Sequence, residues 1–434
     1  MNIADQVYWF RHSAPYINAH RGRTMVLLLG GEVLEHPNLT HIIHDIALLN
    51  SLGVRLVIAF GARPQIDQRL RDGGVEPQFH HGMRVTHEQA LICVQEAVGR
   101  LRHMLEARLS MGLVNSPMHG AHIQVVSGNW VSARPIGVVN GVDLCHTGVV
   151  RKVDEGAISR QLQMNNIVLQ PCIGYSPTGE AFNLSCEDVA SSMAIALKAD
   201  KLIVFSEQPG VLDEAGHLLR ELTVEQTLQQ LEQLSDDNAR RSLAAICRAC
   251  QNGVKRAHIV SYREDGALLQ ELFTRDGTGS MVTDQSYEQM RSATIDDVGG
   301  ILELIRPLEE AGILVRRSRE LLEREIGYFI VDERDGTIVG CAALYPFPEE
   351  RMAELACVAV KNDYRSKGRG DSLLAFIEKQ ARQQGVEQLF VLTTQTAHWF
   401  VERGFQPASV EALPAARKQL YNWQRNSKVF LKAL

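Results

Sequence analysis

The sequence predicts an α/β protein in two unequal parts, a larger domain with a mainly parallel sheet followed by a smaller α+β domain. Three observations lead there. Short apolar strands alternate with helical patterns up to residue 282. The pattern then breaks in a short, polar, non-periodic stretch, 283–291, which reads as a linker. Beyond it, over 292–434, adjacent strands joined by a tight turn replace the alternation.

Length and composition bound the reading. A chain of 434 residues exceeds one ordinary domain. With 45% apolar and 22% charged residues it has the balance of a globular protein. A formal net charge of -6 gives no case for nucleic acid as the main partner. No apolar run reaches membrane-span length, and the start lacks the basic and apolar regions of a signal peptide. A cytoplasmic protein without membrane association is expected. The eight cysteines are scattered, which fits a reducing compartment. Cys247 and Cys250 form a lone C-x-x-C in a helical run, with no second pair, so no metal is expected.

Residues 1–22 place Tyr8, Trp9, Phe10 and Tyr16 on a short polar segment. Two readings stay open: a helix packed on its own domain, or an arm packed on a neighbouring subunit. The strands 25–29, 55–60, 167–171 and 201–205 follow, with helices at 39–52, 87–109 and 185–198 between them. The apolar strands imply a sheet covered on both faces. Residues 223–252 read as mostly helical. After the linker come helices at 296–311 and 317–325 and strands at 328–331, 338–345 and 354–360. Asp335-Gly336 supplies a hairpin turn. A strand at 389–393 and a helix through Trp399 complete the pattern.

The stretch that organises the second part is the valine-rich strand 354–360, the loop Arg365-Ser366-Lys367-Gly368-Arg369-Gly370, and an amphipathic run from Asp371 to Gln384. Asp371 can cap that helix. A strand, a glycine-bearing turn and a helix start make an anion site, because first-turn amides and the helix dipole point at whatever sits there. Arg365, Lys367 and Arg369 add positive charge.

With the following strand and Trp399-Phe400-Val401-Glu402-Arg403-Gly404-Phe405, this stretch resembles the GNAT family of acyl-CoA-dependent N-acetyltransferases. The resemblance runs from about residue 291 to the end. It implies acetyl-CoA as cosubstrate, its pyrophosphate held by amides of Arg365 to Gly370, with Val358 and Val360 beside the thioester. Amine acetylation needs a neutral amine, a polarised carbonyl and a proton for the leaving thiolate. Glu354, among apolar neighbours, is expected to have a raised pKa and to act as base, directly or through water. Thr393 or Thr394 can hydrogen-bond the departing sulfur.

An amino-acid acceptor needs cationic forks for its carboxylates. Leu314-Val315-Arg316-Arg317, Glu354-Leu355-Ala356-Cys357 and Arg425-x-Ser427 resemble the N-acetylglutamate synthase family within GNAT. That resemblance implies L-glutamate as acceptor, clamped by Arg316 and Arg425, with Ser427 and backbone near Leu314 and Cys357 assisting.

Residues 23–282 resemble the amino-acid kinase family, and within it acetylglutamate kinases, at residues 26–31, 59–66, 182–184 and 256–279. The family's catalytic lysine has Leu28 in its place, and its H-G-G-G loop reads Ala59-Phe60-Gly61-Ala62. Its nucleotide segment has no counterpart in 223–252. Leucine cannot replace a charge, so a kinase-shaped regulatory domain is expected. The 258–279 segment resembles the sensor of arginine-inhibited kinases. This implies L-arginine as inhibitor, its guanidinium forked by Glu271 and its carboxylate held by Lys201. His258, Tyr16 and backbone at Gly277 and Gly279 would complete the cage. Tyr16 would bring the N-terminal arm to the sensor, as in kinases whose arms interlace a hexamer, so a homo-oligomer is expected. Two other activities fit less well: a bifunctional acetyltransferase–kinase, opposed by Leu28, and an amino-acid-sensing protein-lysine acetyltransferase, opposed by paired arginines suited to a small dianion.

Overall fold

The computed structural model describes residues 3–213, 215–234, 236–274, 277–284, 289–334, 337–365 and 369–434. The chain divides into two compact units, Met1–Ser286 and Tyr287–Leu434. The linker expected over 283–291 is shorter than that. Thr283 ends the strand Ser280–Thr283, and residues 289–291 join the strand Gln289–Ser292, where Arg291 opposes Val331.

The first unit is built on an eight-stranded sheet. Its order is Glu221–Thr223, Ser280–Thr283, Arg256–Ser261, Lys201–Ser206, Thr24–Leu29, Arg55–Phe60, Ile167–Pro171 and Val125–Val126. The pairs are parallel except Arg256–Ser261 with Ser280–Thr283. The strands 24–29 and 55–60 show buried residues in unbroken runs because helices cover both faces. Alternate side chains feed two apolar layers: Leu27 and Ile58 lie in one, Val26, Leu28 and Val57 in the other. Leu28 is 3% exposed within the second layer. No charge could be carried there without an ion partner.

A second sheet of four strands, Ala181–Asn183, Ile173–Tyr175, Val131–Pro135 and Gly148–Val153, was not anticipated from sequence. The helix Ile3–His20 packs against Ala267–Phe273, where His20 Nε2 lies 2.8 Å from the Leu272 carbonyl. Its C-terminal end thus rests on its own domain, while Trp9 and Phe10 stay exposed. Cys247 and Cys250 face the core of the helix Asp237–Gln251, and burial pushes their thiols up to about 11 and about 12.

The second unit is a seven-stranded sheet in the order Gln289–Ser292, Phe329–Arg334, Thr337–Phe347, Met352–Val360, Gln388–Thr393, Lys428–Ala433, Gln406–Ala408. Only Met352–Val360 with Gln388–Thr393 is parallel. Val298–Glu310 and Arg369–Gln383 pack on this sheet. The turn at Asp335-Gly336 lies outside the described residues. Asp371 does not cap the second helix: that helix begins at Arg369, and Asp371 sits in its first turn, ion-paired with Arg403. Among the described residues no helix is long and apolar enough to cross a membrane.

Candidate active site

Two irregularities on one strand open the site. Along Met352–Val360 the antiparallel ladder to Thr337–Phe347 slips, so that Ala343 opposes Ala356 while Cys341 opposes Ala359. Cys357 takes up the extra residue with φ of 53°. A bulge of this kind bends and twists the strand. On the opposite edge, the parallel ladder to Gln388–Thr393 covers only Met352 to Glu354 against Gln388 to Phe390. Past Glu354 the parallel pairing stops, and on that edge the backbone of 355–360 has no strand partner in the sheet. An extended ligand can pair with such an edge as an added strand. Val358 and Val360 lie half-buried on this stretch.

The loop beyond the strand only partly matches its sequence reading. Ser366, Lys367 and Gly368 lie outside the described residues. Arg365 is exposed, and its Nε donates to the Val360 carbonyl at 3.2 Å. Arg369 is turned inward instead: it is 6% exposed and donates to Asp332, itself 1% exposed, at 3.0 Å. Its guanidinium also lies 4.7 Å from the Tyr364 ring centroid. The expected phosphate-facing charge is therefore neutralised inside the domain, where it pins the helix start to the sheet. Gly370 has a packing reason as well, since a Cβ there would come within 2.8 Å of the Trp399 ring.

Glu354 is 8% exposed, as its apolar neighbours suggested, but it is not an isolated carboxylate. Arg417, on the short helix Ala415–Gln419, reaches it with Nε at 2.6 Å and Nη2 at 3.1 Å. That fork supplies the charge compensation the sequence reading lacked. Thr393 ends the neighbouring strand; its hydroxyl lies 2.9 Å from Thr396 Oγ1 and accepts from the Thr396 amide at 3.1 Å.

The acceptor segments come together. Arg425 is half-buried, and its Nη2 donates to the Ile313 carbonyl at 2.5 Å and the Gly312 carbonyl at 3.3 Å. Leu314 and Cys357 pack in one apolar cluster. Ser427 is buried, and its carbonyl accepts from Tyr421 Oη at 2.7 Å. Arg316 stands exposed beside them. Arg317, half-buried next to Arg316, is a second cation in this segment, with no role implied by the sequence. Burial works against its charge, yet Cys357, Tyr345 and Glu325 outweigh this and raise its pKa. The Cys357 thiol is lowered in turn, by its hydrogen bond with Cys341 and, against burial, by Arg317. Tyr345 Oη donates to Glu325 at 2.6 Å. An arginine doublet at 316–317 was the one sequence signal for this second cation.

In the first unit the expected arginine contacts form one buried chain. Lys201 Nζ lies 3.1 Å from His258 Nε2, and His258 Nδ1 lies 2.7 Å from Glu271. The other Glu271 oxygen accepts from the Thr278 and Gly279 amides at 2.8 and 2.9 Å. With the lysine charged, His258 accepts at Nε2 and donates from Nδ1, so it is the neutral link between a cation and an anion. Burial first and Lys201 second hold its pKa down to about 4. Burial alone would raise Glu271, but His258 and the two amides bring it to about 2. Gly277 and Gly279 leave no space for a Cβ, which would strike Glu271 and the Ile259 carbonyl respectively. Tyr16 is half-buried against the core that includes Leu272 and Phe273, next to Glu271 on the same helix.

A parallel pairing that stops partway along a bulged strand, joined to a kinase-shaped domain without its lysine, defines a GNAT-type N-acetyltransferase with a second, regulatory fold. The amino acid kinase family model matches residues 23–261, and the acetyltransferase (GNAT) family model matches residues 300–405. An amino-acid acetyltransferase of Azotobacter vinelandii is 60% identical over 432 residues, covering 100% of both chains. One from Pseudomonas aeruginosa is 57% identical over 432 residues with the same coverage. N-acetylglutamate synthase from Neisseria gonorrhoeae, complexed with coenzyme A and L-arginine, is 39% identical and covers 99% of each chain with a TM-score of 0.92. Its complex with coenzyme A and N-acetyl-glutamate gives 40%, 99% of each chain and 0.64. The chain belongs to the amino-acid acetyltransferase family.

Proposed function

We propose that this enzyme transfers acetyl from acetyl-CoA to the amine of L-glutamate, giving N-acetyl-L-glutamate and coenzyme A, the first step of arginine synthesis. L-Arginine bound at Lys201, His258 and Glu271 inhibits it. The end of the parallel pairing at Glu354 carries the reading, because it leaves a backbone edge for the pantetheine arm beside the only charged side chain on that strand.

The pantetheine pairs along Val358 and Val360, and the pyrophosphate meets the loop 365–370, with Arg365 as its exposed cation. Arg425 and Arg316 hold the two carboxylates of glutamate, assisted by Ser427 and by backbone at Leu314 and Cys357. Glu354 takes the proton of the ammonium, through water while Arg417 occupies its oxygens. The neutral amine then attacks the thioester carbonyl, the C–N bond forms and the C–S bond breaks. Thr393 donates a hydrogen bond to the thiolate, which gains the proton released from the amine. The two ligands of the gonococcal structures, and its full-length similarity, support glutamate and arginine here. The enzyme acts in the cytoplasm as a homo-oligomer, a hexamer by resemblance; exposed Trp9 and Phe10 on the first helix support an intersubunit arm.

A thiol-release assay with acetyl-CoA and a panel of amino acids, with and without arginine, tests this. Glutamate alone should support turnover, and arginine should suppress it. Equal turnover with lysine peptides would overturn the acceptor.

A further inference from the structure

The segment 311–318, between the helices Val298–Glu310 and Arg319–Glu325, supports both arginines of the acceptor clamp. Arg316 stands on it, and Arg425 is tied to its Gly312 and Ile313 carbonyls. The preceding helix holds the first part: the Ile313 and Leu314 amides donate to the Leu308 carbonyl at 2.9 and 3.1 Å. From Val315 to Arg317 side chains take over. Glu309 accepts from the Arg317 amide at 2.9 Å, and Arg317 Nη1 reaches the Val315 carbonyl at 3.4 Å. An irregular backbone keeps one conformation only where such bonds offset its entropy.

Arg316 is exposed, whereas Arg317 is half-buried. Beside Arg317 lie Cys357, the bulged residue, together with Tyr345 and Glu325, and all three favour its charge against burial. Tyr345 is fixed in turn. Its Oη donates to Glu325 at 2.6 Å, and its ring centroid lies 5.1 Å from that of Tyr328. Burial and then Glu325 raise its pKa, so the hydroxyl remains a donor. Tyr345 is also the residue opposite Glu354 in the antiparallel ladder, and directly opposed side chains share one face of a sheet. A polar chain therefore connects the strand that carries the base to the segment that carries the clamp.

We propose that Arg317, Tyr345 and Glu325 are positioning residues for the acceptor: they fix the segment 311–318 against the bulge at Cys357 and so set where Arg316 and Arg425 hold glutamate relative to Glu354. This rests on the glutamate reading above and adds residues that act through the clamp without touching substrate. The network works on the acceptor alone. Tyr345 pairs with one edge of the strand Met352–Val360, while the coenzyme uses the other edge, past the pairing with Gln388–Thr393.

The test is steady-state kinetics of the full chain, with glutamate and acetyl-CoA varied separately, in Tyr345→Phe, Arg317→Met and the double variant. Failure of the unsubstituted enzyme to acetylate glutamate would overturn the acceptor reading and this inference with it. Given that turnover, Arg317→Met should raise the glutamate KM by roughly tenfold, the loss expected for one hydrogen bond to a charged group. Tyr345→Phe removes one oxygen, keeps the ring packing, and should raise it about fivefold. The acetyl-CoA KM, and kcat at saturating glutamate, should stay within about threefold in both. Because the residues act as one chain, the double variant should be no worse than Arg317→Met. An unchanged glutamate KM in Tyr345→Phe would overturn the network and leave glutamate as the acceptor. Equal rises in both KM values, or additive effects in the double variant, would do the same.

Discussion

Arg417 holds both carboxylate oxygens of Glu354, and it does so at the last rung of the parallel ladder, where Glu354 opposes Phe390. The fork fixes the carboxylate at the point where the parallel pairing ends. A bound water or the incoming amine must share an acceptor with the arginine. Replacing Glu354 by Gln keeps the shape and removes the base, so kcat should fall by roughly 10²–10⁴-fold. Arg417→Met removes the fork that orients the carboxylate, so kcat should fall with acetyl-CoA KM little changed. An unaltered pH–rate profile in Glu354→Gln would remove Glu354 from proton transfer.

Arg425 is anchored by two carbonyls of the segment that carries Leu314 and Arg316. Its removal should therefore cost glutamate binding and leave the coenzyme edge intact. A charge-assisted hydrogen bond is worth about 1.5–3 kcal/mol. That corresponds to a glutamate KM raised roughly 10–100-fold in Arg425→Ala. The acetyl-CoA KM should move by less than a factor of about three, which is under 1 kcal/mol. Equal rises in both constants would count against the clamp.

Much of this was legible in sequence because it is local. The apolar runs at 24–29 and 55–60 give a covered parallel sheet, and the loop after a valine-rich strand gives a helix start. Lys201, His258 and Glu271 are brought together by two strands paired in the sheet, Lys201–Ser206 and Arg256–Ser261, and the helix Ala267–Phe273 that follows them. What stayed hidden is pairing between distant segments. Asp332 and Arg369 are 37 residues apart, and Glu354 and Arg417 are 63 apart, so no spacing rule connects them. Arg369 looked like part of a basic loop because sequence shows charge but not direction. The four-stranded sheet was missed because strands such as Ile173–Tyr175 and Ala181–Asn183 are too short to show a period.

The two described loop arginines should separate by readout. Arg369 pairs with buried Asp332, and breaking such a pair costs about 3–5 kcal/mol. Arg369→Met should lower the melting temperature clearly. Arg365 is exposed at the loop, so Arg365→Ala should leave melting unchanged and raise the acetyl-CoA KM several-fold. If Arg369→Met raised that KM at unchanged stability, the inward pairing would not describe its role.

The Lys201–His258–Glu271 chain makes two predictions from one geometry. His258 has an ordinary value of 6.5 and a folded value of about 4. Between those limits the unfolded chain binds more protons, so this residue's contribution is complete above pH 6.5 and is lost as pH falls toward 4. Glu271 is depressed from 4.5 to about 2, so its contribution is present above pH 4.5 and is lost as pH falls further. Both act in the same direction, and denaturant midpoints measured from pH 8 to 4 should decline below about 6.5. His258→Gln, which cannot titrate, should flatten that part of the curve. Glu271→Ala removes the anion that orders Thr278 and Gly279, and it should abolish arginine inhibition while leaving turnover without arginine unchanged. Retained inhibition in Glu271→Ala would place the arginine site elsewhere in the chain, because the carboxylate is the only anion in this network that can meet a guanidinium.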